Sequence, residues 1–126
     1  IFVPFIPSPF HLLITKQAYI GILTYYPLNK IYAGVLKPLF CAPNKIFEYT
    51  KYGKPMISND VPGLKFIFES FQCGEIIEYP VTPQSVAKSI HDITAEYEML
   101  SAGAVKYYNS VDFKQIALKI IKECFE

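Results

Sequence analysis

The sequence contains no arginine; all twelve basic side chains among its 126 residues are lysine. Without a guanidinium there is no planar fork to grip phosphate or guanine through two hydrogen bonds, which argues against sequence-specific DNA reading. An excess of either charge is also missing. Twelve basic residues face eleven acidic ones, for a net charge of +1. That leaves no electrostatic footprint for a duplex, and no nucleic-acid partner is expected. Cysteine is scarce: Cys41, Cys73 and Cys124 are odd in number, far apart and never spaced C-x-x-C. A disulfide framework and a structural zinc are both disfavoured, and a reducing cytoplasm is the expected compartment. No cluster of Asp, Glu or His has metal-ligand spacing, so neither a metal nor another cofactor is expected. Residues 1–15 hold no Lys, Asp or Glu, but Pro4, Pro7 and Pro9 interrupt them. Three prolines exclude a spanning helix or a signal peptide there. An initiating Met is absent too, and the chain starts on the strand-like Ile1-Phe2-Val3. Residues 1–126 are therefore expected to be a single partial domain of a longer protein.

What is present is apolar material in short runs. Hydrophobic residues make up 52% and charged residues 18%, enough for a packed core and too apolar for disorder. Ile1-Phe2-Val3 reads as a buried strand. Ser8-Pro9 reads as a cap with Pro at the first helical position, opening a helix to about Gln17. Ala18 to Leu23 is an unbroken apolar run, which predicts a strand covered on both faces. Thr24 to Phe40 is a long connection. Pro43 opens a helix that Gly53 closes. Lys54 to Asn59 is a strand, Asn59 to Gly63 a turn, Leu64 to Phe71 a helix, and Glu75 to Tyr79 a strand. Thr82-Pro83 caps a helix to about Leu100, and a last helix begins near Ser110. Strand and helix alternate, so the fold class is α/β: a Rossmann-like parallel sheet of about four strands flanked by helices. A doubly wound domain has five or six strands, and the shortage again suggests a missing N-terminal part.

Ligands of open parallel sheets sit beyond the carboxyl ends of the strands. The helix Pro43-Asn44-Lys45-Ile46-Phe47-Glu48-Tyr49 begins at such an edge. Its first turn offers free N–H groups and the positive end of the helix dipole. Lys45 stands there, where Asp or Glu would be favoured, at a cost of up to about 1 kcal/mol. An anion bound at the turn would reverse that cost. Glu48 lies three residues from Lys45 and four from Asn44, so the three share a face. A carboxylate at that position can accept two hydrogen bonds from a diol such as a ribose. The plainer reading is an exposed Lys45–Glu48 pair worth about 0.3 kcal/mol, and helix physics alone favours the plainer one.

The stretch from Cys41 to Leu64 resembles the donor-binding segment of group-1 glycosyltransferases, the GT-B-fold enzymes of polysaccharide and cell-surface glycan synthesis. The family pattern runs roughly A-P-x-K-x-x-E-Y, then G-x-P-V-I-x-S-D-x-P-G. Here it is matched by Ala42-Pro43-Asn44-Lys45-Ile46-Phe47-Glu48-Tyr49 and by Gly53-Lys54-Pro55-Met56-Ile57-Ser58-Asn59-Asp60-Val61-Pro62-Gly63. Weaker likenesses are Ala18 to Leu23, with Tyr19 where the family has Asp, Cys73 to Ile77, and Thr82 to Ala87. The resemblance implies a C-terminal nucleotide-sugar-binding domain that passes a sugar from a nucleotide-diphosphate donor to a saccharide or lipid-linked acceptor. It implies donor contacts at Pro43, Asn44, Lys45, Glu48 and Tyr49, with Glu48 on the ribose hydroxyls and Asp60 to Gly63 as a loop at the cleft edge. Transfer would need no metal, since a helix dipole and lysines can hold the leaving diphosphate. The acceptor would bind a preceding domain, which could also bring peripheral association with the inner face of a membrane. Phe40 stands where many members carry a first Glu, which removes one expected sugar contact. Two strand–helix units that open the family's domain are absent as well, so the chain alone is expected to be inactive.

Other candidates read more plainly. His11 and His91 are isolated and suit surface or packing roles. Cys41 has no His close in sequence, as a catalytic thiol would want. Tyr25, Tyr26 and Tyr32 suit lid or core packing in a chain with ten Tyr and ten Phe. Lys30, Lys37, Lys51 and Lys54 read as solvated charge. The last helix carries an apolar stripe of Phe113, Ile116, Ala117, Ile120 and Cys124. Two other readings stay open: a GT-B-fold nucleotide-sugar epimerase, disfavoured by the shortage of carboxylates and His, and a non-enzymatic α/β module that binds a partner.

Overall fold

The computed structural model describes residues 4–25 and 44–125. Its elements are α1 (His11–Gln17), β1 (Gly21–Leu23), α2 (Asn44–Lys51), β2 (Met56–Asn59), α3 (Pro62–Phe71), β3 (Gly74–Ile77), α4 (Pro83–Ala95), α5 (Tyr97–Ser110) and α6 (Phe113–Phe125). The strands form one parallel sheet in the order β1-β2-β3. Gly21, Ile22 and Leu23 stand opposite Met56, Ile57 and Ser58. Met56 to Asn59 in turn stand opposite Gly74 to Ile77. The α/β class expected from alternation is thus the observed one.

Successive strand residues point to opposite faces. On one face, Leu23 and Met56 pack with Ile46 of α2, Leu64, Ile67 and Phe68 of α3, and Ala104 and Tyr107 of α5. On the other, Ile57 and Ile77 pack with Ile93 of α4 and Leu100 of α5. The two crossover helices α2 and α3 therefore share a face, as crossovers of a single hand require. The central strand β2 is buried along its whole length. Thr50 is buried too, and its hydroxyl donates to the Ile46 carbonyl at 2.6 Å, so its polar atom is satisfied within α2.

Two glycines are dictated by geometry. Gly53 ends α2 at φ +61°, and its N–H donates to Thr50 O at 3.0 Å. At Gly74 a Cβ would collide with the Met56 backbone, so the close approach of β3 to β2 admits no side chain. Thr82 caps α4 as its sequence implied. Its Oγ1 accepts from Ser85 N at 3.1 Å, and Ser85 Oγ accepts from Thr82 N at 2.9 Å.

Several boundaries differ from the sequence reading. Helix α1 starts at His11, with Phe10 rather than Ser8 at the cap position; the chain first turns, and Phe10 N donates to Pro7 O at 2.9 Å. Strand β1 has three residues instead of six, and Ile22 is 47% exposed rather than covered on both faces. Apolar runs report burial demand, but β1 is an edge strand of the described sheet, and Leu23 is buried while Ile22 on the other face is left half-exposed. Of the expected loop Asp60 to Gly63, only Asp60 and Val61 connect β2 to α3: the helix starts at Pro62, with proline's fixed φ in its first turn, and Gly63 is helical. The helix expected to run from Thr82 to about Leu100 breaks at Glu96 (φ −115°, ψ 24°), where α4 ends and α5 begins. The expected strand Ile1-Phe2-Val3 and most of the connection from Thr24 to Phe40 lie outside the described residues.

Candidate functional site

Helix α2 runs antiparallel to β1. Ile46, in its first turn, packs with Leu23 at the carboxyl end of β1. One turn later the Tyr49 ring covers Gly21 at the amino end, where a Cβ would come within 2.5 Å of the ring. The start of α2 is therefore at the carboxyl edge of the sheet, where parallel-sheet ligands bind. With Ile46 and Thr50 turned to the core, the helical repeat puts Asn44, Lys45 and Glu48 on the outer side. Asn44 and Lys45 are exposed, and Glu48 is partly covered. Pro43 and Cys41, together with Tyr26, Lys30, Tyr32, Lys37 and Phe40, lie outside the described residues.

Glu48 has a neighbour that sequence reading left aside. His11 Nε2, the first residue of α1, is 3.4 Å from Glu48 Oε1. The two side chains are 35% and 30% exposed, so the pair sits in a partly desolvated seam between α1 and α2. The contact is longer than the 2.7–2.9 Å usual for charge-assisted hydrogen bonds, so it is loose. Thirty-seven residues separate the partners, and no local signal joins them.

The strand tips are fastened beside this helix start. Asn59, the last residue of β2, accepts from Tyr25 N through Oδ1 at 2.7 Å and donates through Nδ2 to Tyr25 O at 2.8 Å. Ser58 Oγ donates to Asn59 O at 2.8 Å. Burial pushes the Tyr25 phenol above its usual pKa, and the charge of Tyr49 adds to the effect. Asp60 pairs with Lys65 of α3 at 3.3 Å on the surface.

Tyr49 is placed by the fold as a packing group over Gly21, while its backbone helps carry Glu48. Cys73 is buried, and burial drives its thiol up to about 12, so it is inert as a nucleophile at neutral pH. His91 is an exposed neighbour of Asp92 on α4. A cavity of about 420 Å³ opens beside Gly74 and Glu75, at the amino end of β3, the opposite edge of the sheet from the start of α2. It is rimmed by Glu69 and Glu96, and burial, then Asp92, raises the Glu75 carboxyl above the usual range. Among the described residues no three His, Cys, Asp or Glu side chains are grouped to hold a metal ion. No helix among them is long and apolar enough to cross a membrane.

No family profile, curated protein or solved structure matches this chain.

Proposed function

We propose that the chain is the donor-binding part of a GT-B-type glycosyltransferase, which takes a sugar from a nucleotide-diphosphate donor. The observation that carries this reading is the position of Glu48. It is a partly exposed carboxylate one turn inside a helix that starts at the carboxyl edge of a parallel sheet, with Asn44 and Lys45 on the same side. In this reading Glu48 accepts hydrogen bonds from the ribose hydroxyls. The N–H groups of the first turn and Lys45 face the diphosphate, and supply the positive field that a departing diphosphate needs. The sequence motif around these residues supports the same assignment. The acceptor, a saccharide or a lipid-linked saccharide, would bind a further domain of the enzyme.

The test is thermal protection of the intact protein. A nucleoside diphosphate at about one hundred times its Kd stabilises by about 2.7 kcal/mol, which a melting curve resolves. Glu48→Ala is expected to abolish the protection without lowering the unliganded Tm by more than a degree or two, since Glu48 lies outside both apolar clusters. A wild-type protein whose Tm is unmoved by UDP, GDP and ADP at millimolar concentration refutes the reading.

A second reading rests on α6, none of whose described side chains is buried. A helix so uncovered suits an α/β module that works by docking to another protein surface. Tight binding of a protein partner, together with no heat on adding nucleotide sugars, would favour it.

A further inference from the structure

The structure assigns His11 a role that the sequence withheld: we propose that it is a positioning residue, which fixes the Glu48 carboxylate for recognition of a ribose diol. The inference rests on the donor-binding reading of Glu48 and deepens it.

A glutamate side chain has three rotatable bonds, and freezing them when a ligand arrives costs up to about 1.5–2 kcal/mol. A carboxylate that must accept from two adjacent hydroxyls needs both its plane and its direction set. In α2 the near neighbours of Glu48 do not supply that constraint. Asn44 and Lys45 are exposed, and no described hydrogen bond joins either to Glu48. The group placed to supply it lies across the seam, where His11 Nε2 faces Oε1 at 3.4 Å. Imidazole is suited to this work. It is short and flat, with few rotamers of its own to lose, and with Nε2 protonated it can donate to a carboxylate oxygen. Held by one oxygen, Glu48 keeps acceptor capacity on both for incoming hydroxyls. The present separation leaves room for the contact to shorten when ligand closes the seam, as polar contacts of unliganded sites commonly do.

The alternative, that His11 serves to pack α1, fits the structure poorly. No residue of α1 is buried. Phe10, Leu13 and Ile14 are 60%, 64% and 44% exposed, so the helix contributes little to the core that His11 could be protecting. Replacing His11 should therefore change ligand discrimination far more than stability.

The experiment uses the intact protein and three nucleotide pairs: UDP, GDP and ADP, each beside its 2′-deoxy counterpart. The ratio of ribo to deoxy affinity is the readout, because a contact to base or phosphate cancels from it. Wild type is expected to prefer the ribo form, and Glu48→Ala to lose that preference. His11→Phe keeps the ring's bulk without a donor, and is expected to reduce the ratio by about threefold to tenfold, the equivalent of one hydrogen bond. His11→Gln places an amide donor at a similar reach and should restore most of it. A His11→Phe protein with the wild-type ratio overturns the role of His11 and leaves the Glu48 reading standing. A wild type that binds none of the three nucleotides, or binds both sugar forms alike, overturns both. If His11→Phe does not fold, the imidazole ¹⁵N shifts of wild type at alkaline pH decide instead. The Nε2–H tautomer, lost in Glu48→Ala, is the expected result; an Nδ1–H tautomer in wild type overturns the proposal.

Discussion

Helices α5 and α6 are consecutive, similar in length and both amphipathic, yet their fates differ. Helix α5 buries Leu100, Gly103, Ala104 and Tyr107. It is wedged against α2 and α3, and Tyr107 meets the rings of Phe47 and Phe71 at 5.8 and 5.1 Å. Helix α6 has the more regular apolar stripe, but Ile116, Ile120 and Ile121 remain 50%, 55% and 54% exposed. Its described ring contact to the core is the edge of Phe113 against Phe47 at 5.1 Å. The difference is that α5 owns a groove. Gly103 lets it rest directly on the carbonyls of Phe71 and Gln72 at the end of α3. Helical spacing states that a face needs cover; it does not state that this stretch of chain provides the cover.

The largest test of that contrast pairs a leucine with an isoleucine. Leu100→Ala should cost about 3 kcal/mol, from lost transfer energy and an unfilled cavity. Ile116→Ala should cost under about 0.5 kcal/mol, as for surface substitutions. Urea unfolding midpoints at constant slope measure both, and an equal loss at the two sites would end the distinction between the helices. Next comes Gly103→Ala. The added methyl meets backbone carbonyls that cannot rotate away, so a loss of about 2 kcal/mol is expected despite alanine's better helix propensity. A more stable Gly103→Ala protein would show that α5 does not sit as closely as described.

The smallest effect is at Glu75, near the start of α5. Burial and the nearby Asp92 raise its folded-state pKa above the unfolded value. A raised carboxylate takes up protons on folding, so its charge is a burden above the folded pKa, and the burden vanishes below the unfolded one. Glu75→Gln should thus be slightly stabilising at neutral pH, with the gain fading as pH falls toward the ordinary carboxylate range. Melting temperatures of the two proteins from pH 7 to about pH 4 give the comparison. A gain that grows on acidification contradicts it.

Much of the architecture was legible because it depends on local chemistry. Gly53 stops a helix by adopting positive φ, Thr82 caps one with its hydroxyl, and the apolar Met56-Ile57 pair marks a strand. That Glu48 shares a helix side with Asn44 and Lys45 was legible in the same way, from the helical repeat alone. Three features were not. The break at Glu96 carries no Pro or Gly; beyond it α5 contributes Leu100 to one apolar cluster and Ala104 and Tyr107 to the other. The exposure of Ile22 depends on what lies beside β1, which β1 does not encode. The approach of His11 to Glu48 spans 37 residues, and no periodicity links a helix start to the flank of another helix.

The strand tips carry one further lesson. By offering an acceptor and a donor from one planar amide, Asn59 impersonates a peptide unit and gives β1 an additional rung at Tyr25, past its last backbone pairing. The sheet is in effect longer than its main chain. Aspartate would present no donor to the Tyr25 carbonyl, and leucine neither half of the exchange, so this added rung depends on the asparagine amide.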